Sequence, residues 1–400
     1  MRIALLSPDL PSRGAANGIA TYVGVMREAL LQLGHEVTVF TGHEYQTSDG
    51  SIRDLPPPPI AKRLLEGLAV RLAADPGDGG VGAGLMRNAA AVLRRTGLAD
   101  IVEMEESFGW SAAVRETGVP VVIRLHGPHF LSREPIENAE QQRKSNRRCA
   151  LEIDAARVIT AATSPSQRIL DATARRWDLR VPTETIFNPM PAASVRWSSA
   201  ASNPNELLCI GRFDLRKGAD VVVDAFVRAV RERPELRLKM VGPDNGLRRI
   251  DGSLVRFAEY VAAKVPPADQ DKIVHVGLRS PADVAQLRLS ASCVIVGSRF
   301  ECFPYAIAEA ASIGMPIVAT DVFGSGEIIT DGVNGRLVPT EDPEALAEAV
   351  LWMMGDRERA ARMGSAVREW AERHLDPRTI AEQTVAFYRR ALNEYSGLGA

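Results

Sequence analysis

Glu206-Leu207-Leu208-Cys209-Ile210-Gly211-Arg212-Phe213-Asp214-Leu215-Arg216-Lys217-Gly218 is the stretch that decides the fold. It opens on a short apolar run, passes through a glycine-bounded polar turn and leads into a helical pattern over Ala219–Arg231. Strand, tight turn and helix in that order make one βα unit. Downstream the unit recurs, with strands expected at Leu236–Val241, Lys272–Val276, Cys293–Gly297 and Pro316–Thr320. Upstream, Arg2–Ser7, Glu36–Thr41, Asp100–Met104, Pro120–Leu125, Arg157–Ala162 and Thr185–Phe187 read the same way. Between the first two of those, Ile19, Val23, Met26, Leu30 and Leu33 fall on one helical face, and Gly34 ends the helix. Strands separated by helices predict right-handed crossovers and parallel sheets.

Residues 191–205 are rich in Ala, Ser, Pro and Asn and read as a linker and hinge. The chain of 400 residues, too long for one ordinary domain, thus divides into two α/β domains, 1–195 and 196–376. His43–Pro59, polar and proline-rich, reads as a mobile loop. Ala61–Thr96 reads as helical with a glycine-rich break at Pro76–Gly84. Asp342-Pro343 and Asp376-Pro377 each read as an N-cap followed by a first-turn proline, the second opening a final helix over roughly Pro377–Tyr395. Lys plus Arg number 48 and Asp plus Glu 50, a balance that argues against a nucleic-acid partner held by a global basic field. The four cysteines, 149, 209, 293 and 302, form no C-x-x-C pair, which disfavours a disulfide framework or a zinc site of that type. The first residues lack signal-peptide anatomy and no apolar run approaches a membrane span, so a cytoplasmic protein is expected, with weak peripheral membrane contact left open.

In open α/β sheets ligands sit beyond the carboxyl ends of the strands, so the chemistry is sought there. Arg212 and Lys217 occupy such a strand-to-helix turn, where free helix amides and two cations suit an anion; solvated loop charges are the alternative. Arg299-Phe300-Glu301-Cys302-Phe303-Pro304-Tyr305-Ala306-Ile307-Ala308-Glu309-Ala310 follows the apolar strand at Cys293–Gly297. Pro304 suits a first helical turn, which puts Glu301 in the loop and Glu309 on the helix. Carboxylates accept hydrogen bonds in pairs and suit vicinal sugar hydroxyls; ordinary helix-end and helix-surface acids are the alternative.

Together and in this order, the two motifs resemble the signature of glycosyltransferase family 4, whose pattern is Gly-Arg, a short gap, Lys-Gly, and later Glu, seven residues, Glu. Gly211-Arg212, Lys217-Gly218, Glu301 and Glu309 match it. Gly314-Met315-Pro316-Ile317-Val318-Ala319-Thr320 and Glu327–Gly335 are further family-like pieces, as are Asn17-Gly18-Ile19-Ala20-Thr21-Tyr22 and Leu125-His126-Gly127-Pro128-His129-Phe130 in the first half. The resemblance implies a GT-B architecture, two Rossmann-like domains facing across a cleft. Residues 1–195 would be the acceptor side, completed by the C-terminal helix 377–400, and 196–376 the donor-binding domain. It implies retaining transfer of a sugar from a nucleotide diphosphate to an acceptor hydroxyl. Arg212 and Lys217 would stabilise the leaving diphosphate without a metal. Glu309 would hold the donor ribose and Glu301 the donor sugar, beside Cys302, Phe303, Pro304 and Tyr305. Gly18 would let the backbone approach the donor phosphates, and His126 would lie near the reacting carbon. A UDP- or GDP-sugar is favoured over an ADP-sugar. Glu105, Glu106 and His129 are the candidate contacts to a small-molecule, glycan or lipid-linked acceptor. Cys302, Pro304-Tyr305, Phe323 and Gly326 depart from the common pattern, which bears on the sugar more than on the reaction class.

His126-x-x-His129 has a metal-like spacing but no evident third ligand. Arg143, Lys144, Arg147 and Arg148 read as a solvated basic face, with a phosphorylated acceptor or anionic lipid as the alternative. Competing functions are a GT-B-shaped nucleotide-sugar epimerase, a phosphorylase carrying pyridoxal phosphate, and a non-enzymatic two-domain sugar-binding protein.

Overall fold

Arg2–Leu6 (β1) is flanked on both sides by parallel neighbours and buried from Ile3 to Leu6. A strand enclosed in this way has no solvated face, which is why its sequence is a continuous apolar run rather than an alternation. The computed structural model describes residues 1–13, 17–56, 80–115, 117–132 and 138–397. They divide into two compact units, Met1–Pro189 with Pro377–Ala400, and Met190–Asp376.

In unit 1, β1 is joined by β2 (Glu36–Phe40), β3 (Glu44–Gln46), β4 (Ile52–Asp54), β5 (Ile101–Glu105), β6 (Val121–Arg124), β7 (Ala161–Ser164) and β8 (Thr183–Thr185). Their order is β4-β3-β2-β1-β5-β6-β7-β8, parallel from β2 to β8, with β3 antiparallel to both β2 and β4. The hairpin of β3 and β4 occupies part of the expected loop over His43–Pro59; Tyr45 is buried there and stacks on Phe40 at 5.2 Å, a contact no polar composition reveals. The expected glycine-rich break is helical from Gly80, within the helix Gly80–Thr96; its residues 76–79, and the expected helix over 61–75, lie outside the described residues. β7 begins later than expected because Arg157 serves as the C-cap of the helix Ala139–Ala156. The helix Gly18–Gln32 starts where Asn17 Oδ1 accepts from the Ile19 amide at 2.9 Å. The last helix, Pro377–Gly397, lays Ile380, Ala381, Phe387, Tyr388 and Ala391 into a core shared with Tyr22, Met26 and Leu30.

Unit 2 contains β9 (Asn203–Ile210), β10 (Arg237–Val241), a small antiparallel pair β11 (Leu247–Arg248) and β12 (Leu254–Val255), then β13 (Ile273–Gly277), β14 (Ala291–Val296), β15 (Ile317–Thr320) and β16 (Arg336–Val338). Its main sheet runs β13-β10-β9-β14-β15-β16, all parallel. β9 starts inside the expected linker, and Trp197 pins the stretch before it, donating Nε1–H to the Ala291 carbonyl at 2.7 Å. Strand order reverses between β1 and β5 in unit 1 and between β9 and β14 in unit 2. Loops leaving such switch points splay apart and leave room for a ligand. Among the described residues no helix is long and apolar enough to cross a membrane.

Candidate active site

Both motifs of unit 2 leave the strands that flank its switch point, β9 and β14. Glycine lets them meet. Gly218 has φ 59°, and a Cβ there would lie 1.7 Å from the Gly297 carbonyl oxygen, so backbone packs on backbone. Gly218→Ala should cost roughly 1–3 kcal/mol through the strained backbone alone, with the clash against the Gly297 carbonyl added to it. The check is thermal melting, and an unchanged Tm would show that the close approach is not needed.

The loop itself is organised by Asp214, whose Oδ1 accepts from the Lys217 amide at 2.8 Å while Oδ2 accepts from Arg212 Nε at 2.6 Å. Lys217 Nζ reaches across to Glu301 Oε1 at 2.5 Å, and Ser298 Oγ donates to the same oxygen at 2.8 Å. Glu301 is 7% exposed. Lys217 and Glu301, 84 residues apart in the chain, are thus brought together, with Arg212 on the same loop. Cys302 and Phe303 are buried, and Phe303 meets Tyr305 edge to face at 5.1 Å. Pro304 is the N-cap and the helix Tyr305–Ile313 starts one residue after it, a small shift from the expected first-turn position. Glu309 projects from that helix and pairs with Arg288 of the helix Pro281–Ser290. Burial raises the pKa of Glu309 and Arg288 opposes the rise; burial lowers that of Arg288 and Glu309 opposes the fall.

In unit 1, Gly18 is the first residue of its helix, after β1. His126 follows β6; its ring meets the Tyr22 ring edge to face at 5.1 Å, and the Arg124 guanidinium lies 4.5 Å from the centroid of Tyr22 on the same side chain's face. Burial, and after it the Arg124 charge, push the His126 pKa down to about 3, so its imidazole is neutral at pH 7. Glu106 differs from its expected place as an acceptor contact. It is 2% exposed and turned inward, with Oε2 accepting from the His126 amide at 2.9 Å and Oε1 from the Gly127 amide at 2.7 Å. The reason is that these two amides end a strand and need acceptors. Burial, and then Glu152, push the Glu106 pKa up to about 8, against the pull of the His126 amide. Glu105 accepts from Ser107 Oγ at 2.6 Å, and burial raises its pKa. The His129 amide donates to Glu152 Oε2 at 3.0 Å, and its Nε2 lies 2.9 Å from Ser145 Oγ. The basic cluster is not one solvated face. Arg148 lies over the Phe108 ring, 4.0 Å from its centroid, and donates Nε–H to Glu152 at 3.0 Å, whereas Lys144 pairs with Glu140 near the surface.

Sequence reasoning missed Asp214, Glu152, Arg288 and Arg124. Arg124 carried a signal: one arginine inside Val121-Val122-Ile123-Arg124-Leu125 has to be buried and satisfied. It donates to Ile186 O at 2.6 Å and to Asn188 Oδ1 at 2.8 Å. Arg288 and Glu152 carried none. Among the described residues no group of three or more His, Cys, Asp or Glu side chains could hold a metal ion.

Two doubly wound α/β units, one carrying a cation–carboxylate corner at its switch point, make up a GT-B architecture. Solved structures support the fold. Sucrose-phosphate synthase from Thermosynechococcus elongatus superposes with a TM-score of 0.73 at 20% identity over 98% of this chain and 99% of its own. Anabaena HepE in complex with UDP and glucose gives 0.66 at 18% over 97% and 99%. Residues 16–193 match Glycosyltransferase Family 4 and residues 194–370 match Glycosyl transferases group 1, without a gap between them. The chain belongs to the family 4 glycosyltransferases. Among similar curated proteins are the D-inositol 3-phosphate glycosyltransferases of Thermobispora bispora, 28% identical over 91% of this chain and 88% of the relative, and of Nocardia farcinica, 26% identical over 100% and 91%.

Proposed function

We propose that this glycosyltransferase transfers a sugar, with retention of anomeric configuration, from a nucleoside diphosphate to an acceptor hydroxyl, and that it does so without a metal ion. Unit 2 binds the donor and unit 1 provides the acceptor side. The bond from the sugar carbon to the diphosphate oxygen breaks, and the bond to the acceptor oxygen forms on the same face. The acceptor proton passes to the departing phosphate oxygen, so no separate protein base is required. Charge builds on the leaving diphosphate, and Arg212 and Lys217 stabilise it from positions already set by Asp214 and Glu301. Glu301 orients the donor sugar, Glu309 binds the ribose, and Cys302, Phe303, Pro304 and Tyr305 line the donor pocket. Gly18 gives the donor phosphates room. Neutral His126 lies near the reacting carbon, and Glu105 and His129 are the acceptor-side contacts. The observation that carries the reading is the Lys217–Glu301 pair, formed by loops that leave β9 and β14 on either side of the switch point.

HepE is described in complex with UDP, UDP-glucose, and UDP with glucose, which supports a UDP-sugar as the first donor to offer. The relatives' names make D-inositol 3-phosphate the first acceptor to offer. The four cysteines are buried and none is joined in a disulfide, which suits a reducing cytoplasm. The test is a panel of UDP-, GDP- and ADP-sugars, with and without chelator, followed by nuclear magnetic resonance of the product. Release of UDP, insensitivity to chelator and a product with the donor's anomeric configuration are expected. An inverted product, or transfer abolished by chelator and restored by metal, would sink the corresponding part of the mechanism.

A further inference from the structure

Three successive residues after β14 grip the loop that carries Lys217. Glu301 takes the Lys217 ammonium, and the Phe300 ring lies beneath the Arg216 guanidinium, 5.0 Å from its centroid. Arg299 does more than either. Its amide donates to the Arg216 carbonyl at 2.9 Å. Its Nη1 donates to the Leu215 carbonyl at 2.6 Å and to Asp220 Oδ1 at 2.8 Å, and Nη2 donates to Asp220 Oδ2 at 2.8 Å. Nε–H goes to Glu341 Oε1 at 2.8 Å. Leu215 and Asp220 stand on either side of Lys217, the first in the loop and the second in the opening turn of the helix Ala219–Glu232. One guanidinium therefore holds both ends of the lysine's segment. Only a planar fork does this, because the bidentate grip on Asp220 and the separate bond to Leu215 use nitrogens fixed in one plane. Hydrogen bonds to Asp220 and Glu341 raise the Arg299 pKa, so the fork stays charged.

We propose that Arg299 is a positioning residue of the donor site, clamping residues 215–220 to the chain after β14 and thereby fixing Lys217 against Glu301. The proposal rests on the reading of Lys217 given above. Arg299 itself reaches no reacting atom. Its contribution is the placement of a cation, and a displacement of about 1 Å at such a group is enough to cost about 100-fold in rate.

The test is a double-mutant cycle with Arg299→Met, Lys217→Ala and the pair, read by calorimetric affinity for UDP, by kcat and donor KM, and by Tm. Arg299→Met should lower kcat at least tenfold while donor KM changes much less, and Arg299→Lys, which keeps charge but loses the fork, should recover only part of it. In the Lys217→Ala background Arg299→Met should add no further loss of kcat, since the residue it places is gone. Independent, additive losses, or wild-type kcat in Arg299→Met, would overturn the proposal. If Arg299→Met does not fold, Arg299→Lys in the same cycle carries the same test. Failure of the underlying reading looks different: Lys217→Ala alone would then retain normal turnover, whatever Arg299 does.

Discussion

Lys217→Ala should lower kcat by about 100- to 1000-fold while leaving the fold in place. That is the range seen when a single preorganised donor to a developing oxyanion is removed. The structural argument has two parts. Lys217 is a point charge on a flexible stem, yet here its amide is held by Asp214 and its ammonium by Glu301, so it enters the reaction already placed. A group placed in advance spends no binding energy on ordering itself as charge develops, and its effect therefore falls on kcat more than on donor KM. Removing it leaves Glu301, 7% exposed, with Ser298 Oγ as a remaining partner. Some loss of stability accompanies the loss of activity, and far-ultraviolet circular dichroism separates the two by showing unchanged secondary structure. Lys217→Arg keeps the charge but replaces a point with a longer planar fork, so it should restore activity only in part. Turnover near normal in Lys217→Ala would remove the residue from the mechanism.

What the sequence made legible and what it hid differ for physical reasons. The alternation of buried strands and amphipathic helices was readable because each of those elements writes its own burial into local spacing. β16, three residues long, has too little length to show a period, and in β3 the stacking of Tyr45 on Phe40 leaves no mark in local spacing. The helix from Gly80 runs against its glycine content, so local propensity alone reads a break there. In the candidate site, Arg212, Lys217 and Glu301 are visible as residue types at strand ends, and Glu309 on the helix that follows. Their partners are not. Arg124 meets Asn188 64 positions away, and Arg299 meets Asp220 79 positions away, and no local pattern records such pairings. Glu106 shows the same limit from the other side. It follows directly on the end of β5, but the backbone amides that claim its carboxylate come from the loop after the neighbouring strand, β6.

Glu309→Gln should weaken nucleotide binding and destabilise unit 2 at the same time, and the two effects can be separated. Arg288 is the buried member of the pair, with a side chain 9% exposed against 37% for Glu309. Neutralising Glu309 therefore strands a buried guanidinium, whereas removing Arg288 leaves a carboxylate that water can still reach. Breaking a buried ion pair from one side costs about 3–5 kcal/mol, and because glutamine keeps one accepting oxygen the lower end applies, about 3 kcal/mol. For a unit of this size that corresponds to a fall of roughly 6–12 °C in Tm. Arg288→Met should cost clearly less. Combining the two substitutions should restore most of the stability lost in Glu309→Gln, because the uncompensated charge is gone. Affinity should not return with it. If Glu309 accepts hydroxyl hydrogen bonds from the donor ribose, losing a charged acceptor removes about 1.5–3 kcal/mol, at least tenfold in UDP affinity, in both the single and the double variant. Calorimetry on the double variant is the deciding measurement. Recovered stability with weakened UDP binding assigns Glu309 to the ligand, and recovered stability with normal binding reduces the pair to a brace between two helices.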